Sequence, residues 1–141
     1  MKNIGRFILV VLGLFVLIQI IPYGRNHTNP PVVSEPTWDS AQTRALAAQA
    51  CLDCHSNDTI WPWYSNIAPI SWLVQHDVEE GRQRLNFSEW GQRRQETEEI
   101  YGLINNGEMP PAQFLFMHPE ARLTESEKQA LITGFHAALG Q

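Results

Sequence analysis

Cys51-Leu52-Asp53-Cys54-His55 constrains this chain more than any other stretch. Two thiols three positions apart, followed at once by an imidazole, form the C-x-x-C-H pattern of covalent haem attachment, in which the thiols add to the two vinyl groups and the histidine binds the iron from one face. Other uses of such a pair fit poorly. Structural zinc takes four ligands, and no second cysteine pair or H-x-x-x-H is present. A thioredoxin-like redox pair belongs beside a βαβ pattern, which the chain lacks. A disulfide here would close a loop too short to staple the fold. The expectation is one covalently held haem c per chain, with Cys51 and Cys54 as attachment points and His55 as an axial iron ligand.

A chain of 141 residues has room for one domain behind a targeting segment. Hydrophobic residues make up 43% of it, many of them within the first twenty-odd positions. What remains is a polar domain with a modest core, to which a haem would add a large apolar body. Both cysteines belong to the motif, so none is left for a structural disulfide. Beyond Arg25, seven basic side chains face fifteen acidic ones. That balance argues against nucleic acid as a partner and suits docking on a basic surface of another redox protein.

Lys2 and Arg6 precede an apolar run from Phe7 to Ile21, interrupted by Gly13 and Gln19. The run is short for a membrane-crossing helix and long for the hydrophobic part of a signal peptide. Pro22-Tyr23-Gly24-Arg25-Asn26 after it lacks a small-x-small cleavage site. These features predict a retained signal anchor: a transmembrane helix over 1–22, single-pass in the inner (cytoplasmic) membrane, with the following domain in the periplasm because basic residues ahead of a span stay cytoplasmic. Residues 23–36 carry Pro30, Pro31 and Pro36 among polar side chains. They read as an extended tether, with His27 a solvated linker residue.

Residues 37–141 are expected to form an all-helical, cytochrome c-like domain. Asp39 or Ser40 caps a first helix that runs through an alanine-rich stretch into Cys51, where i and i+3 positions share a face and both thiols reach one ring. Trp61, Trp63 and Tyr64 follow, offering flat apolar surface to a porphyrin, with a general aromatic core as the plain alternative. Pro62 and Pro69 mark irregular backbone there. Ser71 is placed to cap a helix carrying Trp72, Leu73, Val74, Val78 and Leu85. Ser88 is placed to cap another, from about Glu89 to Asn106, with the charges from Arg93 to Glu99 on a solvated face and Gly107 as the residue after the C-cap. Thr124-Glu125-Ser126-Glu127 reads as a capping box. The helix it opens carries Leu131, Ile132, Phe135 and Leu139 on one face, His136 beside that stripe and Gly140 at its end, and is expected to cross the first helix of the domain.

Gly107-Glu108-Met109-Pro110-Pro111 is the second informative stretch. A haem held by one histidine leaves a sixth position open, and a methionine thioether is the soft neutral ligand that electron-transfer cytochromes set there. Met109 is therefore the expected second iron ligand, held in a loop stiffened by two prolines. Its ordinary alternative is a core-filling methionine. Met117, His118 and His76 are the other distal candidates.

With these residues in view, the chain resembles a bacterial family of membrane-anchored haem-binding domains related to cytochrome c. The resemblance is carried by C-L-D-C-H-S-N-D-T at 51–59, W-P-W-Y-S-N-I-A-P at 61–69, D-V-E-E-G-R at 77–82, L-N-F-S-E-W at 85–90, G-E-M-P-P at 107–111 and H-P-E-A-R-L-T at 118–124. It implies a single covalent haem on Cys51 and Cys54, with His55 as axial ligand and Met109 as the other. The expected activity is one-electron transfer between redox partners, without catalysis. A haem-based redox or gas sensor is the alternative, followed by a small peroxidase drawing on His118 or Glu108 as acid or base.

Overall fold

The computed structural model describes residues 2–92, 95 and 97–139. The first helix, α1, is Lys2–Ile18, 17 residues long. At 1.5 Å per residue it reaches ~26 Å, short of the ~30 Å of a hydrocarbon core. It ends there because Gln19 and Ile20 tighten the turn, donating to the carbonyls of Val16 and Leu17 at 3.1 Å. The Gln19 amide is also engaged elsewhere: Nε2 donates to the Ala68 carbonyl at 2.9 Å, and the Ala68 N–H donates back to Oε1 at 3.0 Å. No helix among the described residues is long and apolar enough to cross a membrane. The expected transmembrane helix over 1–22 is corrected on this finding. So are the N-terminal membrane anchor and the inner-membrane, periplasm-facing location inferred from it.

Residues 23–36 do not run free of the domain. Arg82 reaches into them, donating to the Thr28 carbonyl and to Asn29 Oδ1 at 2.9 Å each. His27 is half-buried, stacked on Trp61 at 4.6 Å and 3.1 Å from the Ser65 carbonyl, rather than solvated. Further on, the Val33 and Ser34 amides donate to Ser88 O, and the Trp90 amide to Ser34 O. This makes an isolated bridge between Ser34 and Glu89, and no strand forms among the described residues. These contacts are polar and mostly to backbone, so hydrophobic periodicity carries no trace of them.

The remaining described secondary structure is helical, as the sequence predicts. Ser40 caps α2, Ala41–Ala50, its hydroxyl accepting from the Thr43 amide at 3.1 Å. Cys51 then breaks the helix, at φ −130 and ψ −41, and a single further turn, α3, covers Leu52–His55. A 3-10 turn at Trp63–Asn66 leads to α4, Ile70–Arg84. Pro69 rather than Ser71 occupies the N-cap of α4. Among the described residues, the helix expected from about Glu89 to Asn106 is mostly replaced by turns, and only Ile100–Asn105, α5, is helical. Gly91 at φ +78 and the hydrogen bond from Trp90 to Ser34 bend the chain where that helix would begin; positions 93, 94 and 96 of the expected span lie outside the described residues. A short α6, Ala112–Met117, and a 3-10 turn at Pro119–Ala121 precede α7, Glu125–Leu139. The capping box forms: Glu127 Oε2 accepts from the Thr124 amide at 2.7 Å, and Thr124 Oγ1 accepts from the Glu127 amide at 3.3 Å. Gly140, the expected helix end, lies outside the described residues.

α7 packs across α2, as expected of the two helices. Gly134 permits the close approach, because a Cβ there would collide with the Thr43 side chain. The core between them holds Leu46, Ala47, Leu131 and Phe135, continued by Leu85, Phe87 and Ile104. Phe87 and Phe135 meet at a centroid distance of 5.7 Å. Removing either ring would cost about 3–5 kcal/mol. This core fixes one wall of the site, because Phe87 and Leu85 also face the cavity beside His55.

Candidate functional site

His55 is half-buried at the end of α3, with its ring set by backbone. Nδ1 lies 3.1 Å from the Gly81 carbonyl and 3.0 Å from the Leu85 carbonyl. Carbonyl oxygens only accept, so Nδ1 carries the proton and the Nε2 lone pair is left for another partner. Burial holds the imidazole below its ordinary pKa, against these two hydrogen bonds, which favour the charged form. A neutral, oriented imidazole with one free nitrogen is the form that binds a metal, and a backbone carbonyl on the opposite nitrogen is the usual support.

The support depends on Gly81. α3 lies so close to α4 that a Cβ at Gly81 would be 2.5 Å from the Cys54 carbonyl oxygen and 3.2 Å from Cys54 Cβ. The pentapeptide is clamped on its other side by Arg82, which donates to Ser56 O at 2.7 Å and to Thr59 Oγ1 at 2.9 Å. Thr59 Oγ1 in turn donates to Asp53 O at 2.6 Å. Beyond it, buried Asn57, Asn86 and Ser88 satisfy one another: Asn86 Nδ2 donates to Asn57 Oδ1, the Asn57 amide to Ser88 Oγ and the Ser88 amide to Asn86 Oδ1, each at 2.9 Å. The Phe87 amide donates to His55 O at 2.8 Å. Sequence reasoning missed Gly81, although an isolated glycine inside a helical pattern is itself a signal of close packing.

Cys51, Cys54, His55 and Met109 line one cavity of about 410 Å³. Its walls are largely apolar, from Leu85, Phe87, Ile100, Leu103, Ile104 and Phe114. Both cysteines are free thiols, and burial pushes each up to about 12. Thiols so far from ionising are poor nucleophiles at neutral pH and unlike the lowered-pKa cysteines of redox catalysts. A largely apolar cavity with two thiols and one oriented imidazole fits a haem in chemistry: Cys51 and Cys54 for its periphery, His55 for its iron, aliphatic and aromatic side chains for its faces.

Met109 is delivered by the end of α5. Gly107, at φ +72, takes the left-handed conformation after Asn106, and the amides of Glu108 and Met109 both turn back to Leu103 O, at 2.9 and 3.1 Å. The glycine expected to end that helix does so. Of the distal candidates Met109, Met117, His118 and His76, Met109 alone lines the cavity that holds His55. Met117 and His118 line a neighbouring cleft, and His76 sits exposed on α4, 3.5 Å from Glu80. Glu108 is exposed and accepts from Asn106 Nδ2 at 3.3 Å.

The three aromatics lie outside the cavity lining. Trp61 stacks on His27 and donates to Asn29 Oδ1 at 3.1 Å, and Trp63 is 74% exposed. Tyr64 lines the neighbouring cleft with its hydroxyl 2.8 Å from His118 Nε2, and burial raises its pKa. Residues not anticipated from sequence complete the cavity: Asp53, Asp77, Glu80 and Glu99 supply carboxylates, and Arg84 a guanidinium. Burial raises the Asp77 carboxyl above its ordinary range, with a hydrogen bond from Gln113 opposing. Among the described residues there is no cluster of three or more His, Cys, Asp or Glu arranged to hold a metal ion.

No curated protein and no solved structure matches the chain. A family model does: the haem-binding domain model spans residues 13–137, which include the whole cavity lining. The chain binds haem, and it belongs to the haem-binding domain family.

Proposed function

We propose that the chain is a monohaem c-type electron carrier: Cys51 and Cys54 hold the haem through thioethers, His55 and Met109 are its axial ligands, and single electrons pass to and from a protein partner. The observation that carries this reading is the convergence of those four side chains on one cavity. When bound, the haem supplies a one-electron iron couple. The chain's own residues do the rest. Gly81 and Leu85 carbonyls hold the His55 tautomer, so its Nε2 is a ligand without rearrangement. The turn at Gly107 and the two prolines after Met109 restrict the loop, which limits the conformational freedom that sulfur loses on ligation. Leu85, Phe87, Leu103 and Phe114 exclude water, which favours the state of lower charge. The cavity carboxylates oppose them by favouring the ferric state. With His55 and Met109 both holding the iron, the site would exchange electrons and offer no position to a substrate, so the reading is of a carrier and not a catalyst.

The test combines extraction with spectroscopy on the haem-loaded chain. Acidified organic solvent should leave the haem on the wild-type chain and remove it from a Cys51→Ser/Cys54→Ser double variant. The ferric wild type should show a far-red sulfur-to-iron band and leave carbon monoxide unbound after reduction. Met109→Ala should lose the band and bind carbon monoxide. A band that survives in Met109→Ala would assign the sixth ligand elsewhere, and full extraction from the wild type would remove the covalent attachment.

A further inference from the structure

Beside the haem cavity lies a smaller cleft of about 80 Å³, with Tyr64 and His118 in its lining. Its rim carries Ile60, Ile70, Leu73 and Met117, all exposed, Ile60 to 78%. Trp63 stands next to it, edge-on to Tyr64 at 5.9 Å. Apolar side chains gathered on one open face around a depression are uncommon on a surface that serves only as a boundary with water. The cleft is too small for a cofactor-sized molecule but suits an inserted side chain. Asp53, Cys54, Asp77, Gln113 and Phe114 line both the cleft and the haem cavity. These shared residues form the wall between the two.

The wall is ordered. His118 stacks on Phe114 at 4.3 Å and 12°, and its two nitrogens meet Tyr64 Oη at 2.8 Å and Glu120 Oε1 at 3.0 Å. The charge around the cleft is mainly negative, although the Arg82 guanidinium adjoins it behind Thr59, donating to Oγ1 at 2.9 Å. Asp53 and Asp77 line it, Glu120 adjoins it through His118, and its lining includes no Lys or Arg.

We propose that this cleft is the docking surface for the redox partner, a protein whose contact face presents an apolar projection ringed by lysine or arginine. The inference rests on the electron-carrier reading and adds where the partner sits. The apolar rim supplies contact area, the carboxylates steer a basic face into register, and the shared wall gives the electron a short route past Cys54 and Phe114.

The test uses the full haem-loaded chain, reduced and freed of excess reductant, mixed with a ferric lysine-rich small cytochrome c. One electron leaves the chain and reduces the cytochrome. Hexacyanoferrate(III), which needs no shaped surface, serves as the control oxidant. With the cytochrome, the wild-type rate should fall steeply as salt rises. Ile60→Lys should lower that rate about tenfold at low salt and Leu73→Ser severalfold, both with unchanged helicity and an unchanged rate toward hexacyanoferrate. Wild-type rates with the cytochrome in both variants would overturn the docking surface while leaving the carrier reading intact. Equal losses with both oxidants would overturn it too, by showing damage at the haem site. Self-association of the wild-type chain that Ile60→Lys abolishes, with electron transfer unchanged, would assign the cleft to a second copy instead. If the wild type passes no electron to either oxidant, the carrier reading fails and the docking surface with it.

Discussion

Gly81 is where a single atom decides most. In an exposed helix interior, glycine to alanine gains about 1 kcal/mol of helix propensity. At Gly81 the added Cβ would sit 2.5 Å from a backbone oxygen of Cys54, which has no flexible end to move aside. Overpacking of this kind costs about 1–3 kcal/mol, so the clash wins. The shift it forces also draws His55 Nδ1 off the Gly81 carbonyl, a hydrogen bond now at 3.1 Å. Gly81→Ala is therefore expected to lower the urea midpoint and to reduce haem content per chain, measured by absorbance after purification. Normal stability with normal haem content would show that α3 can retreat without loss. The same scale shows what the sequence made legible: Cys51, Cys54, His55 and Met109 could be chosen by chemical type and spacing, and the structure brings them to one cavity. The carbonyls that orient the imidazole belong to Gly81 and Leu85, and backbone acceptors carry no residue-type signature.

Among elements, the crossing of α2 and α7 bears the core, and Gly134 sets its distance. A Cβ at that position would overlap the Thr43 side chain, itself buried at the N-terminal end of α2. Gly134→Ala is expected to destabilise the domain by about 1–3 kcal/mol. Thr43→Ser, which removes the methyl group in conflict but keeps the hydroxyl, should restore part of that loss. Thermal unfolding of the single and double variants checks both, and purely additive effects would show that the two residues do not meet. The helices at either end of the domain were legible because their caps and apolar stripes are local. α5 was drawn too long because helical composition continues back to Glu89, whereas the backbone there is taken by Ser34 from far away in the chain. α6 went unanticipated because two prolines precede it, and only Pro111 at its N-cap, extended at ψ 150, lets a short helix start at once.

At the scale of the whole molecule, the N-terminal third divides at Gln19. Before it, α1 presents apolar side chains to the outside along its length, and none of them belongs to the core. After it, residues 27–34 supply hydrogen-bond partners to Arg82, Asn57, Trp61 and Trp90. Deleting residues 2–18 is expected to leave the urea midpoint of the haem-loaded chain nearly unchanged. Deleting residues 2–34 should cost several kcal/mol, since each buried partner left unpaired costs about 1–3 kcal/mol. Equal stability of the two truncations would mean that the arm merely rests on the domain. The apolar run of α1 was plain in the sequence, but its length as a helix was not, because the Gln19 to Ala68 pairing that accompanies its end joins residues 49 apart.

The Arg82 guanidinium has a consequence for the order in which the molecule is made. It joins Thr28, ahead of the two thiols, to Ser56 and Thr59, just behind them, yet it is itself synthesised after all three. A chain growing from its N-terminus therefore presents Cys51 and Cys54 before the residue that will lock their surroundings exists. On the covalent reading, attachment to the two thiols does not wait for the arm to be fastened to Arg82.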